Sequence, residues 1–205
     1  MAKNPWVEGS RLLDRKRMME DKRYMVCCHE ASHAVTALAM GQRFRQVRIH
    51  DGEESKVLGA GSTEHGSNQI SGYEAPWRMA ATMAGVVFDR LRFPRKSLVV
   101  VICLGGCYDD YRQTENLAKA VYKKWRKPLK DCMGFTREFL LKHWDMVLAV
   151  AEKLYQVGTL TERDVMEISS KDDDPRLNMY SWEAWREKRW PDDAGETPPA
   201  QATEQ

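Results

Sequence analysis

The chain has 205 residues, and its 32 basic against 30 acidic side chains leave a formal net charge of +2. That length suits one well-cored domain with little left over for a second, and the near balance of charge gives no electrostatic case for nucleic acid or an anionic membrane surface. The five cysteines, odd in number and partly adjacent, fit a reducing cytosol better than a disulfide framework.

Residues 1–20 are charged, with Arg15-Lys16-Arg17 as a basic knot, and read as an N-terminal arm. Asp14 and Glu20 among the basic residues do not make a secretory signal. No apolar run approaches the roughly twenty residues of a membrane span, so a soluble, cytoplasmic protein is expected. From Asp21 to Met40 the pattern predicts a helix, with Gly41 as its stop. Arg45 to His50 alternates polar and apolar as a half-buried strand does, and Val57 to Thr63 is a second, glycine-rich strand candidate. Glu64 to Tyr73 reads as a polar loop, and Pro76 to Leu91 as a helix with Pro76 in its first turn. The run Leu98 to Cys103 is apolar and rich in β-branched residues, which suits a buried strand or loop segment. Asp109 to Arg126 reads as a helix with Asp110 and Gln113 at capping-box spacing. Thr136 to Val157 reads as one long helix with an apolar stripe of Leu140, Trp144, Val147, Ala151 and Leu154, stopped by Gly158. A short helix follows from Thr161, whose hydroxyl stands three residues before Asp164. From residue 169 the composition turns polar, and the last fifteen residues lack the apolar content for a core. The expected organisation is an arm over 1–20, one domain over 21–168 and a tail over 169–205.

Within the first helix stands His29-Glu30-Ala31-Ser32-His33. Two histidines four apart share a helix face, so both imidazoles can reach one metal ion, and Glu30 is placed to act as general base on a water activated there. The bland reading is a solvated helix with two ordinary histidines. Against it, Tyr24 to Cys28 leads in and Ala34 to Met40 leads out, apolar on nearly every face, which is the pattern of a buried helix. Buried histidines and a buried glutamate need partners, and a metal provides them. Cys27 and Cys28 read as plain core. The spacing of Cys103 and Cys107 is too common to argue a metal, and His65 reads as a surface residue. Trp182, Trp185 and Trp190 suit either a docking helix or packing against the domain.

A catalytic zinc needs a third protein ligand and an open position. Periodicity leaves Asp89, Asp109, Asp110 and Glu115 all in play, and for Asp110 an N-cap role competes with the ligand role. The run Met25 to Ile49, the segment Gly106 to Ala118, the helix Ala84 to Leu91 and the run Leu154 to Thr161 together resemble, in order, the FtsH-type zinc peptidases, the protease half of membrane-anchored AAA+ proteases. The resemblance spans about residues 24–168. It implies a mainly α (α+β) domain with a small β-sheet beside the motif helix, Zn2+ held by His29, His33 and Asp110, and Glu30 as the catalytic base. It also implies a polypeptide substrate, unfolded or flexible, bound as an added strand near Val57 to Thr63. Ser32 stands where the family has glycine, and Asp89 where it has glutamate. No P-loop is present, so ATP hydrolysis is expected from a separate AAA+ ATPase or not at all. A homo-oligomer is compatible with the resemblance. The expected function is a zinc-dependent metalloendopeptidase; the alternative is a catalytically idle zinc-peptidase-like binding or regulatory module.

Overall fold

The computed structural model describes residues 16–50, 61–65, 75–93, 96–105 and 107–169. Seven helices are bounded among them: α1 (Lys22–Ala39), α2 (Ala75–Arg92), α3 (Leu98–Gly105), α4 (Tyr108–Val121), α5 (Arg126–Lys142), α6 (Trp144–Val157) and α7 (Glu162–Ser169). Three strands, β1 (Phe44–Ile49), β2 (Gly61–His65) and β3 (Thr159–Thr161), form an antiparallel sheet in the order β2-β1-β3. The architecture is mainly helical with a small sheet.

The motif helix α1 starts where Asp21 accepts a hydrogen bond from the Tyr24 amide and satisfies one of the free N-terminal donors. It packs against α2 on one side, α6 on another and β1 beyond its C-terminal end. Cys27, Cys28, Ala31, Ala34, Val35 and Ala37 are fully buried as a result. Small side chains on this helix let its neighbours approach closely. Ser32, which stands where the resembled family has glycine, is also fully buried, and its hydroxyl donates to the Cys28 carbonyl at 2.7 Å. The exchange thus leaves no polar atom unsatisfied.

Strand β1 lies between the other two, with Val47 facing Thr63 on one side and Leu160 on the other. Val47 is completely buried, and a bulge between Phe44 and Gln46 bends the β1–β2 ladder. Phe88 of α2 stacks on Trp144 of α6 with ring centroids 5.1 Å apart and planes 10° from parallel. Both rings are buried, and this contact adds to the packing of α2 against α1, α4 and α5.

Three expectations are corrected. Leu98 to Cys103 belongs to a helix, neither strand nor loop: Ser97 caps it by accepting from the Val100 amide at 3.3 Å, and the Val101 amide donates to the Ser97 carbonyl. The run is also not buried throughout, since Val99 is 69% exposed. The helix that carries Asp110 ends at Val121, where Tyr122 turns extended, so Arg126 opens the following helix. The long helix expected from Thr136 to Val157 is two, α5 and α6, parted at His143. Backbone bonds from His143 to Phe139 and from Val147 to His143 carry across the break, which explains why the apolar stripe reads as continuous. Gly158, at φ +77°, ends α6 as expected. The Thr161 hydroxyl and amide both meet Asp164 at 2.7 Å, as the start of α7 requires. Residues 57–60 of the second strand candidate, 66–73 of the polar loop, 1–15 of the arm and the tail beyond 169 lie outside the described residues.

Candidate metal centre

His29 and His33 leave α1 on the same face, their ring centroids 4.9 Å apart. Their Nε2 atoms approach to 3.2 Å. Asp110, in the first turn of α4, completes the group, with Oδ2 3.1 Å from Nε2 of His29 and 3.3 Å from Nε2 of His33. Residues separated by 81 positions in the chain thus aim three donor atoms at one another. The cluster can hold a metal ion. Zinc bound at about 2.0–2.1 Å in a tetrahedron separates its ligand atoms by about 3.3 Å, so the three observed edges suit that ion's size and its N/O donor preference.

The opposite nitrogens fix how the rings face. Nδ1 of His33 lies 2.8 Å from the Ala81 carbonyl, which only accepts, so Nδ1 is the donor and a neutral ring carries its lone pair on Nε2. Nδ1 of His29 lies 3.1 Å from Oδ2 of Asp89, a carboxylate 1% exposed on α2, with the same effect. Both second contacts come from α2, whose registration against α1 therefore orients both ligands. Gly85, one turn before Asp89, makes this possible: a Cβ there would fall 2.3 Å from Nε2 of His29 and 2.5 Å from Nε2 of His33. Only a bare backbone leaves room for the two rings.

Charge in the cluster is strongly coupled. Burial disfavours the charged form of His29, yet its hydrogen bonds and charge attraction to Asp110 and Asp89 prevail and hold its pKa well above the ordinary histidine value. His33 shifts upward in the same way, against burial, through Asp110 and with help from Glu30. Burial likewise opposes the Asp110 carboxylate, and the two histidines override it and press its pKa far below the usual range. A group of two cation-forming rings and a carboxylate at these distances is what a divalent ion replaces when protons leave. Glu30 is 6% exposed on the same helix, between the two histidines in sequence.

The remaining candidates separate cleanly. Asp109 is exposed, and Glu115 pairs with Lys119 at 3.1 Å, so neither joins the cluster. Asp110 is not an N-cap: that position is Cys107, with no side-chain capping bond. Cys27 and Cys28 are fully buried free thiols. Cys107 is buried too, and burial together with the nearby Asp89 charge pushes its thiol up to about 12. The side chains of Cys103 and His65, and Trp182, Trp185 and Trp190, lie outside the described residues. What sequence reasoning missed is Gly85, visible only as a glycine in an otherwise ordinary helix, and the part played by Asp89, whose spacing marked it merely as one more possible ligand.

No protein-family model matches the chain, and no curated protein does. No helix among the described residues is long and apolar enough to cross a membrane. What the centre does must therefore be argued from its own residues.

Proposed function

We propose that the protein is a zinc-dependent metalloendopeptidase of the FtsH-like type, with His29, His33 and Asp110 holding the metal and Glu30 handling the proton. The observation that carries this is the arrival of Asp110 Oδ2 within 3.1–3.3 Å of both histidine Nε2 atoms of an H-E-x-x-H helix. A pair of histidines at helical spacing offers two donors, and Asp110 supplies the third that a catalytic zinc site needs.

When bound, zinc supplies Lewis acidity toward the attacking water and the peptide carbonyl. The chain's own residues do the rest. Glu30 takes the proton from that water and returns it to the departing amine, which turns a poor leaving group into a neutral one. Asp89 and the Ala81 carbonyl keep the two imidazoles facing inward by holding their Nδ1 protons. Among the described residues strand β2 ends the sheet order, with β1 as its one neighbour there, so its outer edge suits an unfolded or flexible polypeptide laid alongside as another strand. Substrate unfolding, where required, falls to a separate AAA+ ATPase, and the working compartment is the cytoplasm.

The deciding experiment is zinc per chain by elemental analysis, with casein degradation followed on the same samples, for the wild type and Asp110→Ala. Stoichiometric zinc and chelator-sensitive cleavage in the wild type, both weakened in the variant, are expected. Zinc without cleavage turns the reading to an idle binding or regulatory module, and absence of zinc removes the metal centre altogether.

A further inference from the structure

Arg92 is the last residue of α2, and its side chain is only 2% exposed. Its Nη2 lies 3.1 Å from Oδ1 of Asp89, whose other oxygen stands 3.1 Å from Nδ1 of His29. Among the described residues, Nε and Nη1 of Arg92 and Oδ1 of Asp89 have no hydrogen-bond partner, so the two side chains meet as an ion pair and not through an aligned hydrogen bond; the guanidinium lies over the Phe93 ring, 4.2 Å from its centroid. The other titratable groups near it are the buried thiols of Cys28 and Cys107, whose pKa values burial raises, so neither offers a counter-charge at neutral pH. A buried cation with two unmet donors is a poor way to stabilise a fold, because its desolvation is only partly offset. Its contribution therefore lies in what it does to its one carboxylate.

We infer that Arg92 is a positioning residue of the metal centre, acting on His29 through Asp89. This rests on the metal reading above. The charge of Arg92 beside Oδ1 favours one setting of the Asp89 carboxylate, the one that keeps Oδ2 on Nδ1 of His29 and so holds the lone pair of Nε2 in one direction. Arg92 also offsets the charge of Asp89. His29 then donates as a neutral imidazole, and a bound divalent ion keeps more of its positive charge than it would beside an unpaired second carboxylate.

The test uses full-length wild type, Arg92→Met, Asp89→Asn and the double variant. Zinc affinity is measured by competition with a chromophoric chelator, and cobalt(II) absorption reports ligand geometry. Partners behind a metal ligand typically contribute tenfold to a hundredfold in affinity, so Arg92→Met is expected to bind zinc about tenfold more weakly with a shifted cobalt spectrum. In the Asp89→Asn background the same change is expected to cost nothing further, because its effect runs through Asp89. An equal loss in both backgrounds overturns the inference, as does wild-type affinity and spectrum in Arg92→Met. Arg92→Lys keeps the charge but not the planar fork, and it serves where the methionine variant does not fold. A shifted cobalt spectrum with an unchanged melting temperature in chelator is then expected, and an unshifted one overturns the inference. A folded wild type that binds no zinc defeats the metal reading itself, an outcome distinct from zinc binding that is indifferent to Arg92.

Discussion

Gly85 of α2 faces His29 of α1 so closely that any Cβ at position 85 would stand 2.3 Å from the imidazole Nε2 and Cε1. Helix α2 thus presents bare backbone to the cluster at one turn and the buried carboxylate of Asp89 at the next. Gly85→Ala normally favours a helix by about 1 kcal/mol, so this exchange should not unfold α2. It should instead push His29 and His33 off their common point. The expected result is far-UV circular dichroism like the wild type with zinc content well below one per chain. Undiminished zinc affinity would show that the rings have somewhere else to go and that the close approach is incidental.

Glu30→Gln separates binding from chemistry. The amide is nearly isosteric and leaves the donors of His29, His33 and Asp110 in place, so zinc per chain should stay at the wild-type level. Loss of a general base typically lowers rate by about 10²–10⁴-fold, and casein cleavage should fall by that order. Cleavage at the wild-type rate would sink the proposed role of Glu30.

How far the site was legible in the sequence follows from what each residue depends on. His29, Glu30 and His33 owe their placement to one helix, and helical spacing is a local property that sequence shows directly. Asp110 depends on how α4 returns to α1, and spacing alone left it level with Asp89, Asp109 and Glu115; only resemblance singled it out. Gly85 and Arg92 were not legible, because their meaning lies in contacts across helices. The fold shows the same division. Strand β1 and helices α1, α2 and α7 carry clear periodicity and end signals such as Asp21 and Thr161. The segment from Leu98 failed because a short run of β-branched residues has no period to read, and the hydroxyl of Ser97 decided it as a helix. The break at His143 was hidden because the apolar stripe passes through it.

Phe88 links the core to the centre. Its ring stacks on Trp144, and the next residue is Asp89, so this contact helps to hold the stretch of α2 that carries Asp89. Phe88→Ala removes a fully buried ring, and such truncations typically cost about 3–5 kcal/mol. The expected outcome is a large drop in the denaturant midpoint together with weaker zinc binding. A variant that loses stability but binds zinc as tightly as the wild type would uncouple the two, and α2 would then be held by its other contacts with α1 and α5.

Protons and metal compete for the same atoms, and the direction of the pKa shifts sets how. Although burial disfavours charge on His29, its carboxylate partners raise its pKa well above the ordinary 6.5, so the metal-free protein favours the protonated ring. Zinc uptake at Nε2 must expel that proton, and affinity should fall as pH falls. Calorimetric titration at neutral pH in buffers of different ionisation enthalpy should give at least one proton released per zinc; a value of zero would contradict the arrangement. The metal-free fold has the reverse dependence on the alkaline side. Raised histidine values, for His29 and His33, contribute stability that is present below their unfolded value of about 6.5 and lost as pH rises through the folded ones. The lowered value of Asp110 contributes stability present above its unfolded value of 3.8 and lost as pH falls through the folded one. Chelator-treated protein should therefore melt highest between about pH 4 and 6.5 and lose melting temperature as pH rises above that window. Zinc-loaded protein should not follow that alkaline decline, because the ion has taken the place of the protons. Parallel melting curves for the two forms from pH 6 to pH 9 would mean that the histidines do not carry the metal.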